Sequence, residues 1–192
     1  MKLWKMKNNL VTILLFLTAC SADYSPKPRA YFHINLAEPD YYSFCEYSQF
    51  KFNISNQVIH KSLENSNRTE WFDLNYTQFN AHIYCSYFPI NKNDFENLAD
   101  ESKKMAYFHT MKADGIRETE FNNPQQNAYG LVYEIKGNVA TPLLFTLTDS
   151  THSFFRGVLY FDNSPNQDSI TPVLEYINKD IQVLMESFQW KQ

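Results

Sequence analysis

An alternation of apolar and polar residues in the C-terminal half limits this chain more than any other feature of its sequence. The alternation has a period of two in three successive runs, at residues 129–135, 143–147 and 154–161. Every second side chain of a strand points to the same face, so each run predicts a half-buried strand. Gly137-Asn138 is a two-residue hairpin signal, and polar residues 150–153 form the next connection. The segment predicts three adjacent antiparallel strands.

Two other segments have helical spacing. Apolar residues recur every three to four positions between residues 94 and 115, and again between 168 and 188. Further strands are predicted at residues 31–36, 47–54, 71–76 and 81–88. The chain is therefore predicted to be α+β, with an antiparallel β-sheet covered by two amphipathic helices.

The N-terminus has the pattern of a lipoprotein precursor. Three lysines among the first seven residues precede an apolar run at 10–17, and Leu17-Thr18-Ala19-Cys20 follows. The run is too short for a membrane-spanning helix, which needs about 20 residues, but it suits a secretory signal. The tetrapeptide resembles a lipobox, whose Cys accepts the acyl chains, such as palmitate. We expect residues 1–19 to be a signal peptide and Cys20 to carry the lipid; the alternative is an ordinary signal peptide.

The remainder of the chain suits one domain. Residues 20–30 contain two prolines and predict an extended tether, and residues 31–192 predict a single α+β domain. The leader holds three of the 17 basic residues, which leaves 14 against 21 acidic ones. This balance argues against a nucleic-acid partner. Ser21 follows the lipidated position without an adjacent Asp, so we expect a periplasm-facing protein on the outer rather than the inner membrane.

The stretch from Lys112 to Lys191 resembles the gliding-motility lipoproteins of the GldD family, found in Bacteroidetes. The order and spacing of short matching pieces carry this resemblance. They are Lys112-Ala113-Asp114-Gly115-Ile116, Tyr129-Gly130, Tyr133-Glu134, Gly137-Asn138, Thr148-Asp149-Ser150-Thr151, Arg156-Gly157, Leu159-Tyr160-Phe161, Pro165-Asn166, Asp168-Ser169, Pro172, Asp180-Ile181, Leu184-Met185-Glu186 and Trp190-Lys191.

The resemblance implies a function that the residues alone do not. Members of this family are required for gliding and are tied to the type IX secretion machinery that exports surface adhesins. The implied role is a non-catalytic accessory or assembly component of the cell envelope, whose partners are other gliding and type IX secretion proteins. The plan of two helices and an antiparallel sheet also resembles the PsbP/Mog1 fold, which serves mostly as a binding scaffold.

The residues themselves favour a protein that is not an enzyme and uses no cofactor. Asp149, Ser150 and His152 are close in sequence, but neighbours in one tight turn rarely converge as a hydrolytic set. Asp149 and Ser150 are typical of side chains that bind turn backbone. The five histidines show no paired ligand spacing, so no metal site is predicted.

A second hypothesis is a periplasmic lipoprotein that binds a small ligand or a lipid in an aromatic cleft. Phe44, Tyr47, Phe50 and Phe52 are candidates to line it. The same alternation is also typical of a sheet core. A pocket of several hundred Å³ with convergent polar groups would favour ligand binding.

Two covalent modifications are predicted besides lipidation. Cys45 and Cys85 would face an oxidising compartment, where they are candidates for a disulfide; the alternative is two separate thiols. Ser150 and Ser169 lie in Asp-Ser-Thr and Asp-Ser-Ile tripeptides that resemble the acceptor pattern of Bacteroidetes-type O-glycosylation.

Arg156 is the one charged residue in an otherwise apolar strand. A loop at residues 150–153 would place Leu147 opposite Arg156, so that the guanidinium points toward an apolar surface. A buried charge needs a partner, and Asp149 is the first candidate, followed by Asp114 and Glu175. The alternative is that Arg156 and Asp149 form an exposed docking patch.

Overall fold

The computed structural model describes residues 36–63, 70–91, 94–108, 113–162 and 167–191. These residues belong to one compact unit, Phe32–Gln192. The predicted signal peptide, Cys20, the tether and all but the last residue of the strand predicted at 31–36 lie outside the described residues. No helix in the described ranges is long and apolar enough to span a membrane.

Two antiparallel sheets make up most of the described chain. The strands are β1 (Tyr41–Phe44), β2 (Phe50–Ser55), β3 (Ile59–Ser62), β4 (Glu70–Tyr76), β5 (Ala81–Pro89), β6 (Ala113–Asn123), β7 (Ala128–Gly137), β8 (Leu143–Thr148), β9 (Ser153–Phe161) and β10 (Gln189–Trp190). The larger sheet has the order β3-β4-β5-β9-β8-β7-β6, and the smaller has the order β1-β2-β10. All neighbouring strands pair antiparallel.

Two long helices complete the fold: α1 (Asp94–Phe108) and α2 (Gln167–Ser187). The prediction of an α+β fold with an antiparallel sheet and two helices is thereby confirmed. The three predicted C-terminal strands are β7, β8 and β9, which are neighbours in the sheet. Likeness to the PsbP/Mog1 fold stays a prediction.

The connections between strands differ from their prediction. Gly137 ends β7 with a φ of 119°, and β8 begins only at Leu143, so no two-residue hairpin forms. Strand β6, at one edge of the large sheet, was not predicted at all. Most of its side chains are exposed on both faces, which leaves no apolar alternation in the sequence.

The main core is aromatic and lies between the two sheets and α2. Phe188 follows α2, and its ring centroid lies 5.1 Å from that of Phe155 on β9 and 5.8 Å from those of Phe50 and Phe52 on β2. These four side chains and Phe44 are buried. The residues considered as the lining of an aromatic cleft therefore pack into the core, with Tyr47 partly buried beside them.

Gly157 allows this core to close around Phe145. The two residues are cross-strand partners on β9 and β8. A Cβ at position 157 would lie 2.3 Å from the Phe145 ring, well inside van der Waals contact. Because Phe145 is fully buried, its ring has no room to move away.

Asp180 joins α2 to both sheets. Its Oδ1 accepts a hydrogen bond from Tyr41 on β1 at 2.6 Å, and its Oδ2 accepts one from Tyr76 on β4 at 2.9 Å. Burial raises the pKa of Asp180 above its usual range, and the two hydroxyl donors act in the opposite direction. The carboxylate is buried, but both of its oxygens have partners.

We expect Gly157→Ala to lower the free energy of unfolding by about 1–3 kcal/mol, because the added methyl group overpacks the core beside Phe145. Chemical denaturation of the purified protein measures this. Gly115→Ala is the matched control, since no atom lies within 4 Å of its Cβ position. Equal stability of the two variants would contradict the packing argument.

We expect Asp180→Ala to lower the free energy of unfolding by about 3 kcal/mol, because the Tyr41 and Tyr76 hydroxyls lose their acceptor. Glu175→Ala, which removes an exposed carboxylate from the same helix, should change it by less than about 0.5 kcal/mol. Thermal or denaturant unfolding distinguishes the two. An Asp180→Ala protein as stable as the unmodified one would show that the buried carboxylate does not hold the sheets together.

Candidate docking site

Helix α1 divides one face of the large sheet into two parts. The helix contacts β8 and β9, where Ala106 packs in a buried cluster with Tyr133 and Leu144. Cross-strand partners share a face, so the face that α1 contacts continues across β5, β4 and β3. On these strands and the end of β9 it presents large exposed side chains, which we call the aromatic face: Ile59, Trp71, Tyr84 and Tyr160.

Each of these four large side chains leaves a substantial part of its surface exposed. They are 57%, 45%, 46% and 37% exposed, respectively, whereas the opposite face of β4, β5 and β9 is buried in the core. Single exposed apolar residues are normal on a protein surface, but a contiguous group marks an interaction surface. The aromatic face is therefore the strongest candidate for a functional surface in the described residues.

Asp73 and His82 lie within the aromatic face. Asp73 is opposite Tyr84, and His82 is opposite Tyr160. The His82 ring meets the Tyr84 ring edge-on at 4.4 Å and stacks on the Tyr160 ring at 5.4 Å. Asp73 is 92% buried, at 8% exposure, and its Oδ1 has no hydrogen-bond partner within the described part of the chain. The same holds for Nε2 of His82.

The electrostatics at Asp73 reflect this incomplete pairing. Burial raises the pKa of Asp73 above its usual range, and the nearby His82 and Lys61 partly offset the effect. A buried carboxylate oxygen without a donor costs free energy, so folding alone does not account for it. The residues were not predicted as a site, although Asp73 and His82 both interrupt apolar strands in the sequence.

A pocket of about 290 Å³ lies beside the aromatic face. Its lining includes Leu63, Trp71, Tyr84, Met105, Arg156 and Val158. Most of these side chains are apolar, and Arg156 supplies a charge. The pocket places Arg156 next to Trp71 and Tyr84, two members of the aromatic face.

Arg156 is buried, but its partner differs from the prediction. Its Nη1 lies 3.4 Å from Glu101 Oε1 and donates to Ser102 Oγ at 3.3 Å, both on α1. Its guanidinium carbon lies 5.5 Å from the centroid of the Phe88 ring. The prediction that Asp149 pairs with Arg156 is therefore wrong.

The register of β8 and β9 explains the correction. Thr146, not Leu147, is opposite Arg156, and Thr148 is opposite Phe154. A shift of one residue reverses the face of every side chain, so Arg156 points to α1 rather than to the aromatic core. The other candidates, Asp114 and Glu175, are exposed and do not pair with Arg156 either.

Asp149 instead stabilises the turn between these strands. Its Oδ1 accepts hydrogen bonds from the backbone N–H groups of Thr151, His152 and Ser153 at 2.8–2.9 Å. Ser150 is exposed, with a φ of 67°, and its N–H donates to Thr148 Oγ1. Glycosylation of Ser150 stays a prediction, and the Ser169 side chain lies outside the described residues.

The predicted disulfide between Cys45 and Cys85 does not form. Both residues are free thiols. Cys45 is exposed in the segment after β1, whereas Cys85 is buried in the middle of β5 in the other sheet. Burial raises the pKa of the Cys85 thiol well above its usual range, which keeps it protonated. The structure therefore shows two separate thiols, which was the alternative to the disulfide.

The ion pair between Arg156 and Glu101 can be tested for its contribution to the stability of the fold. Its side chain is 10% exposed but that of Glu101 is 56% exposed, so solvent screens the pair. We expect Glu101→Ala to change the free energy of unfolding by less than about 1 kcal/mol. Arg156→Ala should cost about 1–3 kcal/mol, because packing on Phe88 and the bond to Ser102 are lost as well. Denaturation curves showing equal losses would contradict this.

The described residues contain no group of three or more His, Cys, Asp or Glu side chains that could hold a metal ion. A comparison with curated protein sequences finds no match. The family model for the gliding motility lipoprotein GldD matches residues 21–190, which include almost all of the described chain. This match confirms the resemblance found in the sequence. The chain belongs to the family of GldD gliding motility lipoproteins.

Proposed function

We propose that this lipoprotein is a non-catalytic assembly component of the gliding and type IX secretion apparatus, which binds another envelope protein through the aromatic face. The lipid-anchored, motility-related character follows from the family. The observation that carries the docking role is the exposed group of Ile59, Trp71, Tyr84 and Tyr160. The three aromatic members lie on β4, β5 and β9, whose other face is packed into the core. Aromatic residues are enriched where protein surfaces bind one another.

The turn at Asp149 supports a non-catalytic role. A hydrolytic set built from Asp149, Ser150 and His152 would need the carboxylate to orient the imidazole. Asp149 Oδ1 instead accepts three backbone N–H groups of its own turn, including that of His152. These residues therefore serve the geometry of the connection between β8 and β9.

We place the protein on the periplasmic side of the envelope, anchored through acylated Cys20, on the outer rather than the inner membrane. The support is the lipobox and Ser21 in the sequence. Two acyl chains are enough for stable anchoring. The anchor confines the domain to the membrane surface, where a docking surface meets its partner at high local concentration.

The second candidate function is binding of a small ligand or lipid. Its support is the pocket of about 290 Å³ beside Trp71, where Arg156 could meet a carboxylate within apolar walls. A pocket of about 400 Å³ also lies between β6 and α2. Docking explains more of the exposed apolar surface than ligand binding does, because Ile59 and Tyr160 are exposed but line neither pocket.

Deletion of the gene should abolish spreading and lower secretion of type IX cargo. The unmodified gene should restore both activities. The Cys20→Ala gene should restore neither activity, because the precursor cannot be acylated. The double variant Trp71→Ala/Tyr84→Ala should also restore neither, because the docking surface is lost. Tyr42→Ala is the matched control, since Tyr42 is 49% exposed but lies on β1 of the smaller sheet. It should restore gliding.

Colony spreading, secreted-protein profiles and immunoblots of the membrane fraction measure these outcomes. Normal gliding of the deletion strain would contradict the role in motility. Full activity of the Trp71→Ala/Tyr84→Ala protein at normal abundance would contradict docking through the aromatic face. Extraction of a tightly bound small molecule from the purified protein would instead favour the second candidate.

A further inference from the structure

We propose that Asp73 and His82 form a recognition site for an arginine side chain of the partner protein. This inference rests on the proposed docking function and specifies its chemistry. The two side chains lie one diagonal step apart on β4 and β5, within the aromatic face. Tyr84 is adjacent to both, as the cross-strand neighbour of Asp73 and the ring that meets His82 edge-on at 4.4 Å.

Both side chains have a buried atom without a hydrogen-bond partner in the described part of the chain: Oδ1 of Asp73 and Nε2 of His82. Most buried polar atoms in folded proteins are paired. Two unpaired atoms on neighbouring strands of one surface therefore indicate a missing group rather than two unrelated defects. Asp73 is 92% buried, at 8% exposure, and both unpaired atoms are almost inaccessible to solvent, so an incoming donor reaches them only when the flanking side chains move aside.

The missing group must donate hydrogen bonds. An ionised carboxylate only accepts them. Nδ1 of His82 lies 3.4 Å from Asp162 Oδ1, and when the imidazole is neutral with its proton on Nδ1, Nε2 is an acceptor as well. A guanidinium presents five N–H donors in one plane and can serve two acceptors at once, whereas a lysine ammonium is a point charge.

The surroundings also favour arginine. The Tyr84 and Tyr160 rings flank His82, and Trp71 is two positions before Asp73 on β4, with its side chain on the same face. A guanidinium stacks on aromatic rings and is only weakly hydrated, so it enters such a surface more readily than an ammonium. The chain has 21 acidic and 17 basic residues, which favours a basic partner.

Among the described residues, the charged side chains around Asp73 do not provide a hydrogen-bond donor to its Oδ1. Lys61 on β3 is opposite Asp73 and exposed, and its charge partly offsets the effect of burial on the pKa of Asp73, but Asp73 Oδ1 has no hydrogen-bond partner in the described part of the chain. Asp162 adds a second negative charge beside His82. The Arg156 guanidinium is held by Glu101 and Ser102 on α1 and is not directed to Asp73. An incoming arginine therefore meets two carboxylates and one exposed lysine.

The direct test uses the full-length lipidated protein in detergent micelles and Nα-acetyl-arginine methylamide as the probe. NMR should show shifts of the His82 imidazole and the Trp71 indole resonances. The citrulline analogue, which has the shape of arginine without the charge, should bind at least about tenfold more weakly, as should the lysine analogue. Equal binding of the three probes, or binding of none, would overturn the arginine site.

Asp73→Asn tests the site within the protein. The variant should lose the probe response and fail to restore gliding, while its melting temperature is unchanged or higher, because a buried, unpaired charge is removed. Glu120→Gln, an exposed carboxylate on the opposite edge strand β6, is the matched control and should retain all three properties.

The combined results distinguish the two proposals. Gliding with Asp73→Asn, but not with Trp71→Ala/Tyr84→Ala, would overturn the arginine site and keep the docking surface. Gliding with both variants would overturn docking through this face. Probe binding that Asp73→Asn abolishes, together with normal gliding of that variant, would show that the site binds guanidinium compounds without serving a partner, and would also overturn the proposal.

Discussion

The pairing of β8 with β9 is the constraint on which the rest of the structure depends. Phe145 lies opposite Gly157, and Thr146 lies opposite Arg156, in a register fixed by the turn that Asp149 stabilises. Because side chains alternate between faces, this one register places Phe155 in the core and Arg156 under α1. It also places Tyr160 on the exposed surface beside His82. A turn one residue shorter would exchange the two faces of β9.

This dependence explains what the sequence could predict. Alternation located the strands that became β2, β4, β5, β7, β8 and β9, and helical spacing located α1 and α2. The predicted end of α1 near Gly115 was wrong, because α1 ends at Phe108 and Gly115 lies in β6. The register between β8 and β9 could not be predicted from the sequence, because the apolar period does not show how many residues the turn contains. The face of β9 on which Arg156 lies was therefore assigned wrongly. Strands β1, β3, β6 and β10 were missed. All four lie at the edges of their sheets, and none has the regular alternation of buried side chains that a strand with one face in the core shows.

The candidate site was predictable only in part. A charge within an apolar strand drew attention to Arg156, and a docking role for that region was one of the alternatives. Asp73 and His82 carry the same signal, since each interrupts a strand rich in apolar residues. Their significance depends on strand pairing across β4 and β5 and on the exposed aromatic rings around them, neither of which a local pattern contains. The disulfide prediction for Cys45 and Cys85 was wrong for a similar reason. Cys45 follows a strand of the smaller sheet and Cys85 lies in the larger sheet, and the sequence does not show this division.

Asp73 and Asp180 show how one side-chain type can serve two purposes in one domain. Both are buried, and burial raises the pKa of each. Asp180 accepts hydrogen bonds from two tyrosines and thereby connects helix and sheets, so its burial is compensated within the fold. Asp73 leaves one oxygen without a donor, beside exposed aromatic rings. Stability alone does not favour such an arrangement. The carboxylate oxygen of Asp73 therefore still needs a donor, and the proposed arginine of a partner protein would supply one.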